Sequence, residues 1–318
     1  MPSQLKGKVD FNPVKDIPSL EGKVIFITGG SAGIGAETAR QLAAHNPSQI
    51  YISGRNASAA NTLIKEIQTE HPSVPITFVQ IDMLSLASVK SGLAESFTST
   101  RLDILVNCAG VMCTTAALSK DGYENQFAVN HLAHAQLTSV LLPTLLRTAA
   151  LPDADVRVIT LSSLGYGLHP SEGICFDELN AGSTMTRFIF GRWMRYGQSK
   201  LGNVLFAFEL ARRHPSITSV GVHPGVVQTG MNSGQPWLNR KFVEFTNWLQ
   251  GIQFLEPEQG AWSGVWCAAA AKKEELRNGG FYVPVGYDGT EEMIRRGRDA
   301  ELAAKLWDWT EGVLEKFR

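Results

Sequence analysis

The chain has 318 residues, 44% apolar and 19% charged, enough to bury one large core, with nothing in the length that demands a second domain. With 29 basic and 30 acidic side chains its net charge is −1, so neither a nucleic-acid backbone nor an anionic membrane surface is an expected partner. Four cysteines, at 108, 113, 175 and 267, form no CxxC pair and no Cys/His cluster of metal-ligand spacing, which predicts reduced packing thiols, no metal and a cytoplasmic setting.

The first twenty residues alternate polar, charged and proline positions and lack the apolar centre of a cleavable signal. They read as an extended arm over residues 1–19. No stretch approaches ~18 uninterrupted apolar residues, so no membrane span is expected. Val24 to Ile27 reads as a buried strand. ThrGlyGlySerAlaGlyIleGly follows at 28–35, and a helical pattern begins around Ile34 and runs towards His45. Strand, glycine turn and helix in this order make a phosphate-binding corner: small residues at Gly29, Gly33 and Gly35 let the backbone approach a pyrophosphate, and the helix N-terminus offers unpaired N–H groups. The spacing is GxxxGxG, which differs from the GxGxxG dinucleotide fingerprint.

Further apolar runs near 49–53, 76–81, 102–107, 156–162 and 218–223 read as strands with helical patterns between them. This alternation predicts an α/β fold, a parallel sheet covered by helices on both faces. Phe281 to Val285 is the candidate seventh strand, and a helix is expected through 299–316. Ligands in such a sheet sit beyond the carboxyl ends of the strands. Gly29, Gly54 with Arg55, Asp82, Asn107, Ser163 and Pro224 follow six successive strands, so one crevice can collect them. An acid after the second strand would favour NAD; here stand Gly54 and Arg55, whose guanidinium can grip a 2′-phosphate, with Ser31 adding a hydroxyl. NADP(H) is therefore the expected cofactor, the alternative being Arg55 as a solvated loop charge.

Tyr196 and Lys200 lie four residues apart on one expected helix, and that spacing puts them on the same face. A phenol titrating near ~10 passes protons poorly at neutral pH unless a positive charge favours its ionised form, and Lys200 is placed to supply one.

These residues resemble the short-chain dehydrogenase/reductase family over roughly residues 20–315, and within it the retinol dehydrogenase-like subgroup and its fungal reductase relatives. The glycine turn matches the family's cofactor turn, and AsnCysAlaGly at 107–110 matches its AsnAsnAlaGly element with Cys in second place. ValAsnHisLeuAlaHis at 129–134, SerSer at 162–163, TyrGlyGlnSerLysLeuGlyAsn at 196–203 and HisProGlyValValGlnThr at 223–229 match its remaining motifs. GlyIleCysPheAspGluLeu at 173–179 and LysLeuTrpAspTrpThrGlu at 305–311 resemble the subgroup in particular. The 33 positions from Ser163 to Tyr196 exceed the usual family spacing, so an excursion is expected there.

The resemblance implies a single Rossmann-type doubly wound domain over 20–318, with about seven strands and a substrate-loop insertion near 230–256. It implies transfer of hydride between nicotinamide and a carbonyl or alcohol. Tyr196 would be the general acid/base and Ser163, chosen over Ser162, would hold the substrate oxygen. Lys200 would lower the tyrosine pKa and hold the nicotinamide ribose, and Asn130 would support a proton relay. Gly29, Ser31, Gly33, Ile34, Gly35, Arg55, Asp82, Asn107, Ala109, Gly110, Val227 and Thr229, with Tyr196 and Lys200, would line the cofactor. Asp82 would accept from the adenine amine or cap the helix starting near Ser85.

Trp237, Phe242, Phe245, Trp248 and Phe254 punctuate the insertion, and the family's counterpart folds over the substrate, so an apolar or aromatic carbonyl compound is expected. Arg187, Arg192 and Arg195 read as a solvated basic face. His131 and His134 have no acidic or cysteine partner nearby in sequence. A homodimer and a role in secondary metabolism are further implications of the resemblance. A carbon–carbon double-bond reductase and a nucleotide-binding regulatory protein without turnover remain open alternatives.

Overall fold

The computed structural model describes residues 7, 9–180, 191–228 and 254–317. Its centre is a sheet of order β3-β2-β1-β4-β5-β6-β7-β8. The strands are β1 Val24–Thr28, β2 Gln49–Gly54, β3 Ile76–Gln80, β4 Ile104–Asn107, β5 Arg157–Leu161, β6 Thr218–Val222, β7 Phe281–Val283 and β8 Tyr287–Asp288. All neighbouring pairs from β3 to β7 are parallel, and β8 is antiparallel to β7.

The run of buried residues in β1 serves two cores at once, because successive side chains in a strand point to opposite faces. Val24 and Phe26 enter one cluster with Tyr51, Leu105 and Val158, while Ile25 and Ile27 enter the other with Ile50, Ile52, Val106 and Ile159. Helices close both faces. They are α1 Pro13–Asp16, α2 Gly33–Ala43, α3 Ala57–Glu70, α4 Leu86–Ser96, α5 over 125–149, α6 Gly191–Arg213, α7 Pro257–Val265 and α8 Ala300–Leu314. α5 is a helical run containing a π turn at Ala128–Leu132.

The sheet agrees with the expected doubly wound architecture of about seven strands; among the described residues it has eight, and the seventh stops at Val283, short of the expected Val285. The chain turns at Gly286, at φ +70°, and adds a two-residue edge strand too short to leave a periodic signal. The amino-terminal arm is also more than an extended strap. Asn12 caps Val14 and Pro13 occupies the first helical turn of α1. Phe11, Ile17 and Leu20 are buried at 3–5% exposure in the second core.

Strand order reverses between β1 and β4, and the carboxyl ends there define a crevice where ligands bind in open α/β sheets. Among the described residues no helix is long and apolar enough to cross a membrane.

Candidate active site

At the end of β1 the chain takes positive φ at Gly29 (+63°) and Gly33 (+54°), a region closed to most side chains. A Cβ on Gly35 would lie 2.4 Å from the Gly29 carbonyl oxygen, so the helix can press against the turn only with glycine there. α2 starts at Gly33 behind Ala32, which supplies no capping side chain, so the first turn, carrying Ile34, presents a positive helix end to the crevice. Ser31 lies beside the end of β2, its Oγ 2.9 Å from where a Cβ on Gly54 would stand.

Arg55 is exposed and shares a cleft of about 430 Å³ with Gln80, Ile81, Asp82, Ser88, Ser91, Gly92 and Glu95. The helix cap expected of Asp82 belongs to Ser85, whose Oγ accepts from the Ser88 amide. Asp82 accepts instead from the Leu84 amide at 3.1 Å and from Lys120 Nζ at 2.8 Å. Burial opposes ionisation of its carboxyl, but these hydrogen bonds and the Lys120 and Arg55 charges hold it below the usual range.

Asn107 is fully buried; its Nδ2 donates to Thr138, while its Oδ1 has no partner among the described residues. Ala109 touches the glycine turn, its Cα 2.9 Å from a Cβ built on Gly29. A Cβ on Gly110 would sit 3.2 Å from Asn130 Oδ1 and 3.6 Å from Lys200 Nζ. Asn130 occupies the π turn of α5, a helix irregularity frequent at functional sites. Its Oδ1 accepts from the Val111 amide at 2.8 Å, and its Nδ2 donates to the Val111 carbonyl at 3.0 Å and to Ser199 Oγ at 2.8 Å.

Tyr196 and Lys200 share α6, as the spacing predicted, with 6% and 4% exposure. The Ser163 hydroxyl is hydrogen-bonded to Tyr196, and the Gly165 amide donates to Ser163 Oγ at 3.0 Å. Ser162 instead donates to the Lys200 carbonyl at 2.7 Å, so of the two serines it is Ser163 that faces the phenol. Lys200 Nζ donates to the Leu161 carbonyl at 3.0 Å and lies 5.9 Å from the Tyr196 ring centre.

Burial dominates the electrostatics of this pair. Burial pushes Tyr196 up to about 12; the Ser163 hydrogen bond pulls the other way, and Cys113 adds to the rise. Burial likewise pushes Lys200 down to about 8. Loss of water disfavours the charged form of both groups. Tyr196 therefore stays protonated at neutral pH.

Beyond Pro224, the chain bends at Gly225 (φ +88°), and Val227 forms a parallel bridge with Leu255. Thr229, Arg187 and the aromatic residues Trp237, Phe242, Phe245 and Trp248 lie outside the described residues. The basic face read from Arg187, Arg192 and Arg195 is corrected at Arg195. It is 1% exposed and forms a buried ion pair with Glu124 at 3.2 Å. Sequence reasoning also missed Thr28, Glu124 and Ser199, whose partners lie far away in the chain. His131 bonds Thr310 Oγ1 at 2.9 Å, and His134 lies between Thr28 and Asn130.

A family model described as short chain dehydrogenase matches residues 23–175. A short-chain dehydrogenase/reductase of Aspergillus calidoustus, drtF, is 36% identical over 94% of this chain and 96% of its own length. The chain belongs to the short-chain dehydrogenase/reductase family. Polyprenol dehydrogenase of Mus musculus is 35% identical across 94% of this chain and 85% of that protein. Among solved structures, a protein from Mycobacterium Paratuberculosis superposes with TM-score 0.71 at 26% identity, over 95% of this chain and 97% of that one. A short-chain dehydrogenase from Sphingobium yanoikuyae, in complex with NADPH, shares the fold with TM-score 0.58 at 18% identity, over 76% and 82% of the two chains. Membership in this oxidoreductase family accounts for the site: the glycine cradle, the positive helix end and the orphaned Asn107 oxygen fit a nicotinamide dinucleotide.

Proposed function

We propose that the protein is an NADP(H)-dependent oxidoreductase of apolar or aromatic aldehydes and ketones, or of the corresponding alcohols. The observation that carries this reading is the hydrogen bond between Ser163 and a buried, protonated Tyr196 with Lys200 behind it. The glycine turn of Gly29, Ser31, Gly33, Ile34 and Gly35 would hold the pyrophosphate. Arg55 would hold the 2′-phosphate and Asp82 the adenine, with Asn107, Ala109 and Gly110 along the dinucleotide and Val227 and Thr229 at its carboxamide. When bound, the reduced cofactor supplies the hydride.

The chain's own part is proton handling and orientation. A carbonyl oxygen gaining negative charge is stabilised by a hydroxyl already aimed at it, the role of Ser163. Tyr196 at about 12 is protonated across the physiological range and gives its phenolic proton to that oxygen. Lys200, charged below about pH 8, stabilises the tyrosinate that remains and returns a proton towards it. Asn130 holds Val111 and Ser199, fixing the floor of the site beneath Gly110. The single domain over 20–318, the substrate loop near 230–256, the cytoplasmic setting and the secondary-metabolic role belong to the same proposal, the last resting on the likeness to fungal members.

The test is turnover of an aldehyde, ketone and alcohol panel, followed at the reduced-nicotinamide absorbance, with wild type and Tyr196→Phe. Loss of the proton donor lowers kcat by about 100-fold or more, with NADPH affinity retained. Undiminished turnover in the variant would place the donor elsewhere.

A further inference from the structure

His134 is 2% exposed and lies one helical turn after Asn130, on the same run of α5. Its hydrogen bonds determine which of its nitrogens bears the proton. Nδ1 lies 2.9 Å from the Asn130 carbonyl oxygen, which can only accept, so Nδ1 is protonated. Nε2, 2.8 Å from Thr28 Oγ1, is then the acceptor, and the Thr28 hydroxyl donates to it. The two lone pairs of that hydroxyl take the Cys108 and Ala109 amides at 2.8 and 2.9 Å. The Val106 carbonyl, at 3.4 Å, makes the weaker claim on the Thr28 proton. Every polar atom of this node is thereby used once in its proper sense.

The node joins four elements that carry the site. Thr28 ends β1 and immediately precedes Gly29. Cys108 and Ala109 belong to the loop after β4. Asn130 passes the constraint to Ser199 Oγ at 2.8 Å, and Ser199 donates to the Tyr196 carbonyl at 2.8 Å. We propose that His134 is a positioning residue of the reaction, a neutral imidazole strut that ties the glycine turn to the Asn130 turn and, through Asn130 and Ser199, to the backbone of Tyr196. This rests on the oxidoreductase reading above and adds to it a side chain that touches neither cofactor nor substrate. Burial, followed by the nearby Lys200 charge, pushes the imidazole down to about 4 against the pull of the Asn130 carbonyl, so the strut stays neutral at working pH. A protonated ring would have two donors and would leave the Thr28 hydroxyl facing an N–H.

The experiment compares wild type with His134→Leu, which removes both hydrogen bonds, and His134→Gln, which keeps one planar donor and one acceptor. NADPH dissociation constants are measured by fluorescence without turnover, and kcat and KM on the best panel substrate. His134→Leu is expected to lower kcat roughly 10- to 100-fold, the scale of a misplacement of about 1 Å at a reacting centre, and to weaken NADPH binding, with little change in substrate KM. His134→Gln is expected to restore most of both. A folded His134→Leu protein with wild-type kcat and NADPH affinity overturns the proposal, as does a glutamine variant no better than the leucine one. Should His134→Leu fail to fold, Thr28→Val and Thr28→Ser decide by the same criteria, since only the serine keeps the hydroxyl. A wild type inactive on the whole panel contradicts the oxidoreductase reading alone, and the order of NADPH affinities among the variants then supports or overturns the strut.

Discussion

Arg55 and Asp82 line one cleft at the ends of β2 and β3, with opposite charges and different neighbours. Asp82 is already held by Lys120 and the Leu84 amide, whereas Arg55 is exposed beside Gly54. A phosphate ester on the adenosine ribose would meet a guanidinium able to form two charge-assisted bonds, a geometry lysine cannot copy. Hydrogen bonds to charged groups contribute about 1.5–3 kcal/mol, so Arg55→Ala should lower kcat/KM for NADPH about 10- to 100-fold while leaving the NADH value nearly unchanged. Steady-state kinetics with both cofactors checks this. Equal losses for the two, or a wild type that does not discriminate between them, would return Arg55 to the status of a solvated loop charge.

At the scale of elements, the site depends on how α5 is seated against α6. Glu124 accepts from the Phe127 amide at 2.8 Å where α5 begins and pairs with Arg195, whose guanidinium also donates to the Thr114 carbonyl. Gln126 adds bonds to the Cys113 amide and the Arg192 carbonyl. The residue before Tyr196 is thus clamped to the helix bearing Asn130. Burial is the largest influence on Glu124 and raises its pKa against these partners. Removing one member of such a pair strands the other charge, so Glu124→Gln and Arg195→Met should each destabilise by about 3–5 kcal/mol, the double variant by less than their sum. Urea unfolding of the three variants measures this, and strictly additive losses would deny the pair any coupling. The same contrast explains how much was legible beforehand. The glycine turn and the Tyr196/Lys200 spacing are local patterns, readable because strand, turn and helix periods fix where neighbouring side chains point. Arg195 looked like part of a basic face because its partner lies 71 positions away, and Tyr287–Asp288 is too short a strand to show a period. Helix spacing reveals that Tyr196 lies near a charge but says nothing of its burial, the largest cause of its raised pKa.

Across the whole molecule, α8 decides what surface α6 has left. Trp307 stacks on Phe206 at 5.4 Å, Trp309 meets Phe127, Tyr123 and Phe176, and Thr310 bonds His131. Between Arg195 and Ala211 every residue of α6 except Phe208 is buried. A homodimer paired through α6 would have to displace α8, so mutating Phe208 should leave the particle mass reported by light scattering unchanged; a stable dimer lost on that mutation would refute this. The same depth of burial sets the response to acid. Burial pushes His131 down to about 3 and His134 and His223 down to about 4, from an ordinary 6.5. Each is neutral in the fold but protonates near 6.5 once the chain unfolds, so below that pH the unfolded state binds more protons and stability falls as pH falls. Above 6.5 the three contribute no slope. Well inside the window from 6.5 to about 4, each group removes about 1.4 kcal/mol of stability per pH unit, a large loss against the roughly 5–15 kcal/mol total of a native domain. His223 isolates the effect best, because its Nδ1 has no hydrogen-bond partner among the described residues. His223→Gln should therefore unfold in urea with a shallower dependence on pH between 6 and 4.5 than wild type, the slopes converging above 7; identical slopes would show that this imidazole is already protonated in the folded protein or never titrates on unfolding.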